Sequence, residues 1–149
     1  MSDTTDTEAA GIPARYQDPE TIRAILREAR TIAVVGLSPN PGRPSHSVAR
    51  YLQAQGYRII PVNPNEQSIL GETCYATLSD IPDAVDIVDV FRRSEYVPAI
   101  AEEAVKIGAK ALWLQFDVIS PEGEATAERG GLRVVVDRCL KVEHARYGR

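Results

Sequence analysis

The sequence predicts an α/β fold: a doubly wound, mainly parallel sheet of about five strands with helices on both faces. Three observations carry this reading. Short, almost unbroken runs of β-branched and other apolar residues recur along the chain, as they do in strands buried on both faces of a parallel sheet. Between these runs lie segments whose apolar residues repeat about every 3.6 positions, the spacing of one helix face. The 149 residues, 44% hydrophobic and 26% charged, are enough for one compact core. One domain is therefore expected over residues 16–149.

Residues 1–15, opening MSDTTDTEAAG, are polar and acidic without an apolar period. They cannot bury enough surface to offset the entropy of ordering, so a flexible tail is expected there. Asp18 before Pro19 has the form of a helix cap followed by proline at the first helical position, and Ile22, Ile25, Leu26 and Ala29 then share a face. The run from Thr31 to Gly36 reads as the first buried strand. A loop rich in Pro and Gly, 37–44, leads to a helix from about Ser45 to Gln55, with Val48, Tyr51 and Leu52 inward and Gly56 as its stop. The second strand spans 57–62, and residues 68–75 add a short one. Further strands fall at 85–91, 111–115 and 132–136, with helices near 96–107 and 121–129 between them. Parallel strands need crossovers, which are nearly always right-handed, so the chain winds around an open, Rossmann-like sheet. Ligands in such sheets sit beyond the carboxyl ends of the strands, where the strand order reverses. The loops after Gly36, Val62, Phe91 and Leu114 are expected to converge there.

A formal charge of −4 and a pI near 5.2 argue against a non-specific nucleic-acid or anionic-membrane binder, so an anionic ligand requires a local basic pocket. Cys74 and Cys139 are too few for a disulfide scaffold and lack metal-ligand spacing; two ordinary thiols and no metal are expected. No apolar run near residue 1 reads as a signal peptide or membrane span, which makes the cytoplasm the expected location.

The segment from Gly36 to Ser47 is the most informative. Gly36 permits a sharp turn at the strand end, and amides at the start of the following helix favour a phosphate. Ser38, Ser45 and Ser47 add hydroxyls, Arg43 offers a fixed bidentate charge, and His46 can donate as a neutral imidazole. The alternative is a plain surface turn in which Gly and Pro only set backbone angles and Ser45 only caps a helix. No Gly-Lys-Ser or Gly-Lys-Thr follows, which removes the P-loop. The dinucleotide fingerprint fits poorly, because Ser38 takes its second glycine position and the second strand ends in Pro61-Val62-Asn63-Pro64 without an acid for the ribose diol.

Taken together, Val35-Gly36-Leu37-Ser38 with Asn40 to Arg43, Pro61 to Pro64, Asp86 to Arg92, Trp113 to Gln115, and Asp137 to Cys139 with Glu143-His144 resemble a family. The chain, from about residue 18 to 145, is similar to the CoA-binding domain proteins, which look like the amino-terminal domain of the succinyl-CoA synthetase alpha subunit. The resemblance implies coenzyme A lying across the strand ends. Gly36, Leu37, Ser38, Arg43, Ser45 and His46 would form the phosphate loop, and Asn63 and Pro64 would line the adenosine. Val90, Phe91 and Arg92 would flank the nucleotide, with Trp113 and Gln115 along or under the pantetheine arm. The synthetase domain carries a lysine shortly after the second-strand proline, where this chain has Asn65, Glu66 and Gln67; Arg43, Arg92 and Arg93 are the candidates to replace that charge. The synthetase also needs a phosphohistidine-bearing domain and a partner subunit, so synthetase activity from this chain alone is not expected.

Asp86 and Asp89 interrupt an apolar strand, and Asp89 is expected to organise Arg92, Arg138 or a loop amide. His144 beside Glu143 reads as structural, because no serine or cysteine neighbour in sequence completes a nucleophile set. The leading expectation is a coenzyme A carrier, sensor or regulatory module without catalytic residues of its own. Two alternatives are an NAD(P)-binding oxidoreductase domain and an acyl-CoA ligase subunit acting with a separate partner. Partners are a small nucleotide ligand and either a second protein or further copies of this chain, not nucleic acid or membrane.

Overall fold

The computed structural model describes residues 11–149. Helix α1 (Pro19–Glu28) begins where the sequence places it: the Asp18 carboxylate accepts from the Thr21 amide and hydroxyl, both at 3.0 Å. Asp18→Ala is expected to cost about 1 kcal/mol of unfolding free energy, measured by urea titration, because two donors in the first turn lose their acceptor. Strand β1 (Thr31–Val35), helix α2 (Pro44–Ala54) and strand β2 (Arg58–Val62) follow. The short strand expected within 68–75 is a hairpin of β3 (Ser68–Ile69) and β4 (Glu72–Thr73). Leu70 and Gly71 form its turn, both at positive φ, the signature of the primed turns that match strand twist. Strand β5 (Ile87–Val90), helix α3 (Val97–Lys106), strand β6 (Ala111–Leu114), helix α4 (Pro121–Arg129) and strand β7 (Arg133–Val136) complete the alternation. A final helix, α5 (Leu140–Tyr147), lies beyond the last expected element.

The main sheet is wholly parallel, in the order β2-β1-β5-β6-β7. Successive side chains along each strand face opposite layers, so the core divides in two. Val35, Val90 and Leu114 pack with Ile100, Ala101 and Ala127 of α3 and α4; Ile32, Val34, Ile87 and Trp113 pack with Leu26, Leu52 and Leu140 of α1, α2 and α5. The chain leaves β1 toward β2 on one side and returns to β5 on the other, which puts the reversal of strand order between β1 and β5.

The first ten residues of the expected tail lie outside the described residues. Within the rest of it, Ile12 is 2% exposed in the α3/α4 layer and Arg15 bonds Glu128 at 2.9 Å, so these residues are packed against the domain. No helix among the described residues is long and apolar enough to cross a membrane.

Candidate functional site

At the carboxyl ends of β1, β5 and β6 the surface opens into a cleft of about 550 Å³, within the usual size range of small-ligand sites. Gly36, Phe91 and Gln115 form its floor, each placed just past the end of its strand. Arg43, Ser45 and Val48 border one side, Arg92 and Arg93 the other, and Phe116, Val118 and Cys139 the far end.

Two backbones approach closely at the floor. Gly36 has φ +88°, and a Cβ there would lie 2.5 Å from the Phe91 carbonyl oxygen and 3.0 Å from Arg92 Cδ. The loop after Gly36 is held by its own side chains. The Ser38 amide donates to Ser45 Oγ at 3.0 Å, the Asn40 amide to Ser38 Oγ at 3.1 Å, and the Gly42 amide to Asn40 Oδ1 at 2.8 Å. His46 Nδ1 lies 3.0 Å from the Ser38 carbonyl oxygen, which can only accept, so Nδ1 carries the proton. This narrows the phosphate cradle expected from the sequence. Pro39, Pro41 and Pro44 have no N–H, and among the described residues only the amides of Leu37 and Ser45 in this loop have no acceptor. Ser47 donates to the Pro44 carbonyl at 3.2 Å. The Arg43 guanidinium is exposed, with no side-chain partner among the described residues.

Arg92 stacks over the Tyr96 ring at 4.2 Å, and Arg93 donates to the Tyr96 hydroxyl at 3.0 Å. All three arginines named as replacements for the missing lysine therefore border one cleft. Other expected site residues lie elsewhere. Leu37 and Val90 are fully buried and do not reach the cleft surface. Asn63 reaches sideways instead, donating to the Leu37 carbonyl at 3.0 Å, and neither it nor Pro64 lines the cleft. Trp113 is completely enclosed, its indole N–H donating to the Arg138 carbonyl at 2.8 Å; it holds the turn before α5 rather than presenting a surface.

Sequence reasoning does not single out Phe116, Val118 or Cys139 as lining residues. Phe116 is 54% exposed at the mouth and carried an available signal, since it directly follows Gln115 at the end of a parallel strand. Cys139 belongs to the Asp137 to Cys139 motif of the family resemblance, but it joins the cleft only when α5 folds back. Asp117 and Asp137 both adopt positive φ, 68° and 60°, and the Asp117 amide donates to Asp137 Oδ1 at 2.7 Å, a strained pair fixing the cleft's far edge.

Asp89 departs from expectation. It bonds neither Arg92 nor Arg138 nor a loop amide; it is wholly buried, both carboxyl oxygens lack a partner, and burial holds its pKa well above the ordinary value. Asp86 does find partners, accepting from the Arg30 and Thr31 amides at 2.8 and 3.0 Å. His144 is bonded to the Tyr51 hydroxyl at 2.9 Å, and burial lowers its pKa. The Cys74 thiol lies 3.3 Å from the Asn63 carbonyl, and burial raises its pKa. A smaller hollow of about 280 Å³ lies at the opposite end of the strands, where its Arg133 and Glu28 pair at 3.1 Å.

Residues 30–145 match the model of a family described as a CoA binding domain. The chain is 43% identical over 124 residues to the uncharacterized protein YneT of Bacillus subtilis, across 83% of this chain and 92% of that one. It is 35% identical over 101 residues to an ADP-forming acetate–CoA ligase II of Archaeoglobus fulgidus, covering 66% of this chain but only 15% of the ligase. Among solved structures, a hypothetical protein from Pyrococcus horikoshii OT3 superposes with a TM-score of 0.85 at 36% identity, over 99% of both chains.

Proposed function

Because this chain belongs to the CoA-binding domain family, we propose that it binds coenzyme A in the cleft between β1, β5 and β6, as a carrier, sensor or regulatory module in the cytoplasm. One observation carries the reading: a chain of net charge −4 gathers Arg43, Arg92 and Arg93 around a single cleft. Cations concentrated against the overall charge select an anionic ligand. Arg43, with the Ser45 amide, would hold the diphosphate at the start of α2; Arg92 and Arg93 would take the ribose phosphate. The apolar side chains of Phe116, Val118 and Cys139, which line the cleft beside Asp117, suit the pantetheine arm. The chain's own contribution is to bind and orient, because the Gly36 turn and the side-chain-tied loop are formed in advance.

A thermal-shift panel of coenzyme A, acetyl-CoA, dephospho-CoA, NAD and NADP tests this. Coenzyme A is expected to raise the melting temperature and the dinucleotides to leave it unchanged. Arg43→Ala is expected to weaken coenzyme A about tenfold or more, the loss of a charge-assisted hydrogen bond worth about 1.5–3 kcal/mol. Equal affinity in this variant rejects Arg43 as a phosphate contact, and stabilisation by NADP alone favours the oxidoreductase. The identity to an ADP-forming acetate–CoA ligase favours a second reading, a subunit that turns over acyl-CoA only with its partner. Activity appearing when an ATP-hydrolysing partner subunit is added to the inert chain would establish it.

A further inference from the structure

Asp89 stands in the middle strand, between Val34 of β1 and Trp113 of β6 in register. Both neighbours point into the layer under α1, α2 and α5, and the strand's alternation puts Asp89 on the same face. A valine or leucine at that position would need no partner. A buried carboxyl without one destabilises the fold. Other buried polar groups in the described chain are served: Glu124 accepts from the Ser120 amide at 2.8 Å, Gln115 from the Leu140 amide at 3.3 Å, and His144 bonds Tyr51. Asp89 alone among the described buried side chains leaves oxygens unsatisfied.

Its place relative to the cleft gives the reason. Two residues further along the same faces of β1, β5 and β6 stand Gly36, Phe91 and Gln115, the cleft floor. Asp89 therefore lies one side-chain row below that floor, about 6–7 Å along the strand. Val48 and Cys139, which line the cleft, belong to the same packed layer as Val34 and Trp113. Locally costly groups persist where function repays them.

We infer that Asp89 is a positioning residue for the bound ligand, exchanging one hydrogen bond with the amide or thiol of its pantetheine arm when the arm displaces the floor side chains that enclose the carboxyl. This rests on the coenzyme A reading above. It assigns the arm, rather than the phosphates, to the part of the cleft over β5 and β6, and it makes Asp89 a reader of the ligand's non-nucleotide end. Asp89 itself enters no covalent step.

Infrared difference spectra of the full chain test this, with Asp89→Asn assigning the carboxylic-acid C=O band by its disappearance. Saturating coenzyme A is expected to shift that band, and adenosine 3′,5′-bisphosphate, which lacks the arm, to leave it in place. A shift shared by desulfo-coenzyme A identifies an amide as the partner; a shift seen only with intact coenzyme A identifies the thiol. In calorimetry, Asp89→Leu is expected to weaken coenzyme A about three- to tenfold, the loss of one neutral hydrogen bond, and to leave the bisphosphate unaffected. Asp89→Asn, which keeps the size and a hydrogen-bonding group, is expected to bind within about twofold of the parent. An unmoved band at calorimetric saturation, or an equal shift with the bisphosphate, overturns the role of Asp89 and leaves coenzyme A binding intact. Absence of any coenzyme A binding removes the underlying reading instead.

Discussion

Gly36→Ala is expected to destabilise the protein by about 2–4 kcal/mol and to abolish coenzyme A binding. A residue with a side chain at φ +88° carries a backbone penalty of order 1–3 kcal/mol, and here the added Cβ also meets the Phe91 carbonyl oxygen at 2.5 Å. Its neighbour is backbone in the central strand region, so relief requires β1 and β5 to separate at the cleft floor. Gly71→Ala is the matched control. Gly71 has φ +77° with nothing within 4 Å of a Cβ, so it suffers only the backbone penalty. Urea unfolding of both variants isolates the steric part. Equal losses at the two positions would show that the contact between Gly36 and Phe91 does not constrain the site.

Asp89→Leu is expected to act in the opposite direction, raising stability at pH 7 by about 1–3 kcal/mol and the melting temperature by about 5 °C. The sign follows from proton binding. The unfolded aspartate ionises near its ordinary 3.8, whereas burial keeps the folded carboxyl protonated to higher pH. Below pH 3.8 both states hold the proton. As pH rises above 3.8 the unfolded chain releases its proton and the folded chain does not, so stability falls until the folded group ionises too. The parent's stability is therefore expected to decline from about pH 4 toward neutrality relative to the variant, whose curve lacks this component. Melting temperatures of both proteins across that range make the comparison. Parallel curves would mean that Asp89 ionises alike in the folded and unfolded chains, contrary to its burial without a partner. A variant that is more stable yet binds coenzyme A less well would show a core position held for the ligand at the fold's expense.

The elements that can be read from the chain are those in which local chemistry and burial agree. Asp18-Pro19 starts α1, and the run from Thr31 to Val35 is a strand because it is apolar on both faces. Helix α5 escapes this reading. Its Glu143 and His144 are buried while Val142 is exposed, so polar and apolar positions do not follow the helical face. His144 is accommodated inside only because Tyr51, from a helix far away in sequence, offers its hydroxyl. Arg92 and Gln115 are legible as candidate-site residues because they follow parallel strands directly, and Arg43 because it ends the loop that leads from β1 into α2. Trp113 and Asn63 sit at similar strand ends, yet one turns into the core and the other back to Leu37, choices that depend on which face each strand buries.

Unaided, the order of residues along this chain determined the strand and helix alternation, the parallel sheet and the edge at which the cleft opens, because period and buried runs are local properties. Folding decided the rest: that the three arginines share one cleft, that Cys139 closes its far end, and that Asp89 stands alone beneath its floor. Partnership between groups distant in sequence depends on register and layer packing in three dimensions, and a run of letters does not carry those distances.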